Sequence, residues 1–200
     1  MMVAMVAVPR NRASRSRAGR TLRLLGPGLL VLVLAACTDE PSTPTPEAES
    51  VAFELSLGPG ASGLSPADRD QLQTAVGDTL SAYVVDAFLG DYPRDDFVAA
   101  LDSFTSGGAR LAAEQLDVVT GAGFGSPEDV VATRLDARLS TFAPDEEASG
   151  VSAAVNFEFE VADDGSTELV QVAGRLMLTP EGDEWKIFGF DLDDPMAETS

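Results

Sequence analysis

Hydrophobic residues recur with two different periods between residues 51 and 192, and the change of period divides this stretch into two parts. Between residues 65 and 120 the apolar spacing is three and four, which is typical of helices. Between residues 131 and 192 it is two, which is typical of strands with one buried face. The order predicts an α+β domain in which N-terminal helices pack on one face of a curved antiparallel sheet.

The helical part is preceded by a short alternating stretch, residues 51–57, that predicts a strand. Ser65 and Pro66 have the side chains expected at the N-cap and the first position of a long helix. Gly90 and Pro93 predict where this helix ends. Its apolar stripe is Leu72, Val76, Leu80, Tyr83, Val84, Ala87 and Phe88.

Two shorter helical patterns follow, in residues 97–104 and 111–119. The segment Ser106-Gly107-Gly108 is predicted to interrupt them, because glycine disfavours helices. Residues 121–127 are rich in glycine and predict a loop. Because they follow no strand and precede no lysine, they do not indicate a phosphate-binding loop.

The strand part contains four alternating runs. In the first, the predicted buried face holds Val131, Thr133, Leu135, Ala137, Leu139 and Thr141. The next two runs, 151–161 and 170–178, are joined by a hairpin signal, Asp164-Gly165. A turn at 180–183 leads into the last run, 185–192, which completes a predicted antiparallel meander.

This order of elements resembles a known superfamily. A long capped helix that ends in Ala87-Phe88-Leu89-Gly90-Asp91-Tyr92, and a last strand that carries Trp185-Lys186-Ile187 after an acidic turn, resemble the nuclear-transport-factor-2-like domains. The resemblance implies a cone-like fold. That superfamily includes ketosteroid isomerase, polyketide cyclases and many non-catalytic binding domains, so it does not define a function. The chain departs from the enzyme members in having no histidine.

The N-terminal region has the three parts of a secretory signal peptide. All six arginines before residue 37 precede an apolar segment of 13 residues, 24–36, in a region without acidic residues. A bilayer span needs about 20 apolar residues, so this segment is too short for one. Leu34-Ala35-Ala36-Cys37 resembles the lipobox of bacterial lipoproteins, which implies cleavage before Cys37 and lipidation of its thiol. A plain secretory signal that leaves a stray thiol is the alternative.

These features divide the chain into three regions: a lipoprotein signal peptide (1–36), a lipidated Cys37 with a disordered tether (37–50), and a single α+β domain (51–200). The tether has three prolines and four acidic residues and is too polar to form a core. Two acyl chains anchor a protein stably. We therefore expect a protein held at the cell membrane by a lipid anchor, on its extracytoplasmic face.

The composition excludes several classes of function. Histidine is absent and Cys37 is the only cysteine, so the chain has no histidine-based triad, no histidine-ligated zinc and no internal disulfide. From residue 37 onward there are 7 basic and 33 acidic residues. A binder of nucleic acid needs a cationic surface, so we expect no nucleic-acid partner.

The candidate site residues are few, and each has a structural alternative. Tyr83 suits an isomerase-like hydrogen-bond donor, although its place on the apolar stripe favours a core tyrosine. Trp185, Phe188 and Phe190 are candidates for the lining of an apolar pocket or for core positions. The acidic residues near 95 and 191 do not have the spacing of a calcium loop. We predict no catalytic residue, no metal and no cofactor.

The sequence therefore favours a non-catalytic binding or scaffolding domain on a membrane anchor. The alternatives are a small-molecule isomerase, cyclase or hydrolase, and a carrier of a hydrophobic ligand, each working in an apolar cone. A protein partner or a small hydrophobic ligand fits this prediction, and a homodimer is left open. A buried carboxylate facing a cavity would favour an enzyme, whereas a filled cone would favour binding.

Overall fold

A five-stranded sheet with helices on one face forms the folded part of the chain, which the computed structural model describes from residue 51 to residue 195. The prediction of an α+β fold is confirmed. The strands are β1 (Glu54–Leu57), β2 (Asp129–Phe142), β3 (Gly150–Asp163), β4 (Ser166–Glu181) and β5 (Glu184–Leu192). The α-helices are α1 (Pro66–Phe88), α2 (Ser106–Ala113) and α3 (Leu116–Val119). Short 3-10 helices cover Ala61–Gly63, Val98–Ser103 and Gly121–Phe124.

The sheet follows chain order, and its four long strands form the predicted antiparallel meander. Asp164 and Gly165 have φ angles of 46° and 77°, as a two-residue hairpin turn requires. The prediction of a wholly antiparallel sheet is wrong at one edge, because β1 pairs with β2 in parallel. All the helices lie between β1 and β2 in sequence, and such a long connection allows two strands to run in the same direction.

Helix α1 begins and ends where the sequence predicts. The Ser65 hydroxyl accepts a hydrogen bond from the Asp68 backbone N–H at 3.2 Å, which is an N-cap. Beyond its last turn, the Arg94 guanidinium donates to the carbonyls of Leu89 and Asp86, each at 2.7 Å. All seven residues of the predicted apolar stripe are buried. The helix therefore has capped ends and one face in the core.

The predicted interruption at the glycine pair is wrong, because Gly107 and Gly108 lie inside α2. The Thr105 hydroxyl caps this helix by accepting from the Gly108 N–H at 3.1 Å. A Cβ on Gly108 would lie 2.6 Å from the carbonyl oxygen of Ile187 in β5. The glycine therefore lets α2 approach β5, and the helix ends at Ala113 instead of continuing to residue 119.

A β-bulge corrects the predicted face of the first long strand. The register between β2 and β3 shifts between Ala132 and Arg134. A bulge inserts one residue and reverses the alternation on one side of it. Val131 and Thr133 are therefore exposed, while Val130 and Ala132 are buried.

Aromatic side chains fill the space between the helices and the sheet. Tyr83, Phe88, Phe157 and Phe159 are fully buried. The Phe88 ring stacks on Phe159 with centroids 5.1 Å apart, and the Tyr83 ring meets Phe88 edge-on at 5.8 Å. Phe104 meets Tyr83 edge-on at 5.6 Å. This cluster is the centre of the hydrophobic core.

None of the helices within residues 51–195 has the length and apolar character to cross a bilayer.

Candidate functional site

Tyr83 lies in the core and not at the wall of an open pocket. Its side chain is fully buried, and its hydroxyl donates a hydrogen bond to the Val119 carbonyl at 2.5 Å. Burial raises the pKa of this phenol well above its ordinary value, because the charged form is not solvated. The hydroxyl joins α1 to the end of α3, which is a structural role.

The three aromatic residues predicted on β5 do not share one pocket. Trp185 is half-buried and lines a cleft with Leu72 and Ala75 of α1. Phe190 is half-buried and meets Phe104 edge-on, with ring centroids 6.3 Å apart. Phe188 is 47% exposed. The three side chains therefore occupy different surroundings, and only Phe188 is largely exposed.

A bulge accounts for the position of Phe188. Met177 pairs with Gly189 and Leu178 pairs with Ile187, so Phe188 has no partner in the register of β4 and β5. The face of the sheet away from the helices is named the outer face below. Phe188 lies beside this face together with Met177 and Phe142, which is 67% exposed.

These three residues form the centre of an apolar patch at one end of the outer face. The patch surrounds a cleft of about 780 Å³. Its rim carries the hydroxyl groups of Ser140, Ser152 and Thr179. The apolar patch is defined as Phe142, Met177, Phe188, Ser140, Ser152 and Thr179. None of these six side chains is charged.

A row of two arginines borders the apolar patch. Arg138 pairs with Ala154 across β2 and β3, and Ala154 pairs with Arg175 across β3 and β4. Residues two apart on a strand share a face, so Arg138 is next to Ser140, and Arg175 is next to Met177. Arg175 binds the Asp191 carboxylate at 3.1 Å. Within residues 51–195, the Arg138 guanidinium has no hydrogen-bond or ion-pair partner.

A second cleft, of about 700 Å³, continues along the outer face from the Arg138 row. It contains Glu54, Asp136 and Asn156. Nearby, the Arg134 guanidinium pairs with the Asp136 carboxylate and lies 3.6 Å from the Glu158 carboxylate. In this part of the outer face, one arginine therefore lies between two carboxylates.

The helical side of the domain is far more acidic than the outer face. Residues 51–195 carry 28 acidic and 7 basic residues. By the strand register, the outer face holds four of the basic residues and eight of the acidic ones. Those twelve residues are Arg134, Arg138, Arg175, Lys186, Glu54, Asp129, Asp136, Glu158, Glu160, Glu181, Glu184 and Asp191. The rest of residues 51–195 includes 20 acidic and three basic residues.

An acidic cleft beside α1 illustrates the difference. It includes Asp78, Asp86 and Asp102, with Glu184 and Lys186 from β5. The Lys186 ammonium lies 2.8 Å from the Glu184 carboxylate, and this hydrogen bond lowers the pKa of that exposed acid. In the part of the chain that the structure describes, no group of three or more acidic side chains is placed to hold a metal ion.

The buried polar residues offer little catalytic chemistry. Among residues 51–195 they are Ser103, Thr120 and Thr141, and none is a carboxylate. The Thr120 hydroxyl donates to the Leu116 carbonyl at 2.6 Å. The Thr141 hydroxyl has no hydrogen-bond partner within the described residues. Among residues 51–195, the buried group with a raised pKa is the Tyr83 phenol, whose hydroxyl is held by the Val119 carbonyl, and no carboxylate is buried beside it.

Of the six members of the apolar patch, sequence reasoning found only Phe188, and the two apolar members that it missed are Phe142 and Met177. Phe142 is two residues after Ser140 and therefore lies on the polar face of β2. A phenylalanine at a polar-face position was the available signal. Met177 lies between the buried Leu176 and Leu178. In the sequence pattern, these apolar neighbours make it look like part of a continuous hydrophobic run. Cys37, the predicted lipidation site, lies outside the described residues.

Comparison of the chain with models of protein families, with curated proteins and with solved structures finds no match.

Proposed function

We propose that this protein is a membrane-anchored lipoprotein whose folded domain is a non-catalytic binding or scaffolding module on the extracytoplasmic face. The anchor is supported by the sequence alone: an arginine-rich start, a short apolar segment, and a lone cysteine after Leu34-Ala35-Ala36. The acidic tether, 38–50, then separates the domain from the membrane surface. Anionic headgroups repel the domain within about a Debye length, which favours an extended tether.

The filled interior is the observation that carries the proposal of a binding module. Tyr83, Phe88, Phe157 and Phe159 are each 0% exposed, and their side chains belong to the core cluster between the helices and the sheet. No carboxylate among residues 51–195 is buried near them. The exposed apolar groups that remain for recognition include those of the outer face. Exposed apolar patches are typical of interaction surfaces.

We also propose that the domain is related to the nuclear-transport-factor-2-like superfamily. The support is the order of a long N-terminal helix, shorter helices, and four long antiparallel strands. Bulges in β2 and at the junction of β4 with β5 are of the kind that curves a sheet around a helix. In this proposal, the cone is closed by its own aromatic side chains.

The cleft beside Phe142 and Phe188 favours one second candidate, a carrier of a hydrophobic small molecule. Its volume of about 780 Å³ lies within the usual range for ligand sites. It is open to solvent and lies on the outer face, not inside the cone. A retained lipid in native mass spectra of the purified protein would support this candidate over a protein-binding module.

The mature N-terminus tests the proposed anchor. We expect mass spectrometry of the envelope protein to show a chain that begins at Cys37 and carries a diacylglyceryl group. A Cys37→Ala variant is expected to leave the envelope fraction or to remain as the uncleaved precursor. Ser42→Ala, in the tether, serves as the control and is expected to fractionate like the parent.

An unmodified Cys37, or a mature chain that starts elsewhere, would contradict the anchor. So would a Cys37→Ala variant that is processed and bound to the envelope as the parent is.

A further inference from the structure

We propose that a groove beside α1 binds an extended segment, rich in arginine and lysine, of a partner protein. The inference rests on the proposed function as a binding module and names its partner. The groove joins two clefts, of about 640 Å³ and about 430 Å³, that share Ala75, Asp183, Glu184 and Trp185. It is called the acidic groove below, and its carboxylates are those of Asp68, Asp78, Asp86, Asp102, Glu146, Glu147, Asp183 and Glu184.

One face of α1 runs along the whole acidic groove. The lining residues of this helix follow the helical repeat, as residues on one face do. They are Asp68, Gln71, Leu72, Ala75, Asp78, Thr79, Ala82 and Asp86. The Thr79 hydroxyl donates to the Trp185 carbonyl at 2.9 Å. This bond joins α1 to the start of β5, so both sides of the groove are held by the fold.

The acidic groove concentrates negative charge. Among the described residues that line it, eight are acidic and Lys186 is the one basic residue. The Lys186 ammonium lies 2.8 Å from the Glu184 carboxylate and donates to the Asp102 backbone carbonyl at 3.0 Å. Within residues 51–195, the carboxylates of Asp78, Asp86 and Asp102 have no hydrogen-bond or ion-pair partner. A cleft lined by one sign of charge attracts a ligand of the opposite sign.

A buried hydroxyl without a partner indicates a ligand independently of the charge. Ser103 ends the 3-10 helix Val98–Ser103 and lines the acidic groove, and it is only 7% exposed. Within residues 51–195, its hydroxyl has no hydrogen-bond partner. Unlike the Thr141 hydroxyl, it is not sealed in the interior. Because buried polar groups are almost always hydrogen-bonded, this hydroxyl is suited to a polar group of a ligand in the groove.

The length of the acidic groove favours an extended peptide over a compact cation. In the part of the chain that the structure describes, no three acidic side chains converge on one point as a metal ion requires. Asp68 and Asp86 are 18 residues apart on α1, which is about 27 Å at about 1.5 Å per residue. An extended chain covers this distance in about eight residues, at about 3.3 Å each. Carboxylates spread over such a length match the separate guanidinium and ammonium groups of a basic segment.

Trp185 adds an aromatic contact and a means of detection. Its side chain is half-buried and lines both clefts of the groove. The cationic group of an arginine or lysine is attracted to the face of an indole ring. Trp185 is the only tryptophan of the chain, so tryptophan fluorescence reports on this groove.

The first test titrates the full protein, extracted from the envelope in a mild detergent, with a peptide of about eight residues in which arginine and alanine alternate. We expect a saturable change in Trp185 fluorescence at about 0.15 M sodium chloride, where the Debye length is about 8 Å. A peptide with glutamate in place of arginine is the control and is expected to cause no change. No response to the arginine peptide would overturn the proposal. Spermine, a small polyamine, would overturn the assignment to a protein segment if it binds as tightly as the peptide.

Two double variants of equal net charge locate the bound peptide. Asp78→Asn with Asp102→Asn removes two charges from the acidic groove, whereas Glu114→Gln with Glu168→Gln removes two exposed charges elsewhere. We expect the groove variant to bind the arginine peptide about two- to tenfold more weakly and the other variant to bind it like the parent. Equal weakening in both would show a nonspecific attraction to an acidic protein and overturn the proposal.

The variant Ser103→Ala tests the groove without a change of charge. Because the Ser103 hydroxyl has no partner in the free protein, its removal is expected to leave the urea midpoint unchanged and to weaken peptide binding about two- to tenfold. Ser81→Ala, at a half-buried position of α1 outside the groove, is expected to change neither quantity. A Ser103→Ala variant that binds the peptide like the parent would contradict the proposal.

These measurements do not depend on processing at Cys37, so they are independent of the test of the anchor. A domain that ignores the arginine peptide but binds a protein through its outer face would overturn this inference and leave the proposed function in place.

Discussion

The hydroxyl of Tyr83 has one partner, and that partner explains why a buried polar group is tolerated in the aromatic core. The phenol donates to the carbonyl of Val119, which lies at the end of α3. Removing the hydroxyl leaves this carbonyl without the bond, and an unsatisfied buried group costs about 1 to 3 kcal/mol. The same bond occupies the proton that an isomerase-like site would donate to its substrate. Tyr83 therefore stabilises the fold and is not a candidate catalytic residue.

Alkaline pH is predicted to destabilise the domain through Tyr83. Burial raises the pKa of Tyr83 above its unfolded value of about 10, so the native state keeps a proton that the unfolded state loses. The contribution of Tyr83 to the free energy of unfolding is then constant below about pH 10 and falls by about 1.4 kcal/mol per pH unit above it. Urea unfolding between pH 8 and 11 measures this slope.

The variant Tyr83→Phe is expected to be less stable at pH 8 and to show a shallower loss above pH 10. Tyr92→Phe is the control, since Tyr92 is only partly buried. Burial raises the pKa of Tyr92, and the charge of Arg94 opposes this effect. An equally steep loss in Tyr83→Phe and the parent would show that another group causes it.

Individual residues differ in how well the sequence predicts their place. Every member of the α1 stripe is buried as predicted, because helical periodicity depends only on the local chain. Val131 and Thr133 were assigned to the wrong face, because the bulge after Ala132 depends on the pairing of β2 with β3. Phe188 is exposed for the same kind of reason, since the bulge beside Met177 is a property of two strands.

Among the elements, α2 shows how packing decides a local structure. Its first turn contains two glycines, which by themselves disfavour a helix. The Thr105 N–H donates to the Ile187 carbonyl at 2.9 Å, and Phe104 forms a bridge with Ile187. These contacts hold the start of α2 against the edge of β5, so the helix forms although its sequence predicts an interruption.

The two glycines are predicted to respond in opposite directions to alanine. A Cβ on Gly107 meets no atom within 4 Å, so Gly107→Ala is expected to stabilise the domain by about 0.5 kcal/mol. A Cβ on Gly108 would lie 2.6 Å from the Ile187 carbonyl oxygen, so Gly108→Ala is expected to destabilise it by about 1 to 3 kcal/mol. Urea unfolding of the two variants measures both values, and equal effects would contradict the close approach of α2 to β5.

The elements whose prediction succeeded are those with strong local signals, such as the Ser65 cap and the Asp164-Gly165 turn. The parallel direction of β1 was not predictable, because it depends on which strand lies beside it after about seventy residues of connection. The apolar patch was not predictable as a unit either. It gathers one or two residues from each of β2, β3, β4 and β5, so no stretch of the sequence contains more than two of them.

At the scale of the whole molecule, uneven charge is the dominant physical property. The acidic excess of residues 51–195 lies mainly on the helical side and the loops, whereas the outer face carries eight acidic and four basic residues. Like charges at short range oppose the folded state, and dissolved salt reduces the repulsion.

Salt is therefore predicted to raise the melting temperature. Asp78 lines the acidic cleft beside α1 with Asp86 and Asp102, so Asp78→Asn is expected to stabilise the domain by a few tenths of a kcal/mol at low salt. The gain should shrink toward zero near 1 M salt, where the Debye length is about 3 Å. Melting curves of the parent and the variant in sodium chloride measure this. A parent whose curve does not move with salt would contradict the prediction.

The two margins of the sheet have a consequence for the behaviour of the domain at high concentration. On β5, the backbone of Thr105 already bonds to Ile187, and on the four-residue β1 the Gln73 amide bonds to the Leu55 carbonyl at 3.3 Å. Exposed strand margins are the usual template for amyloid-like growth. Because both are partly occupied from within the chain, neighbouring molecules have little opportunity to extend one another's sheets into fibrils.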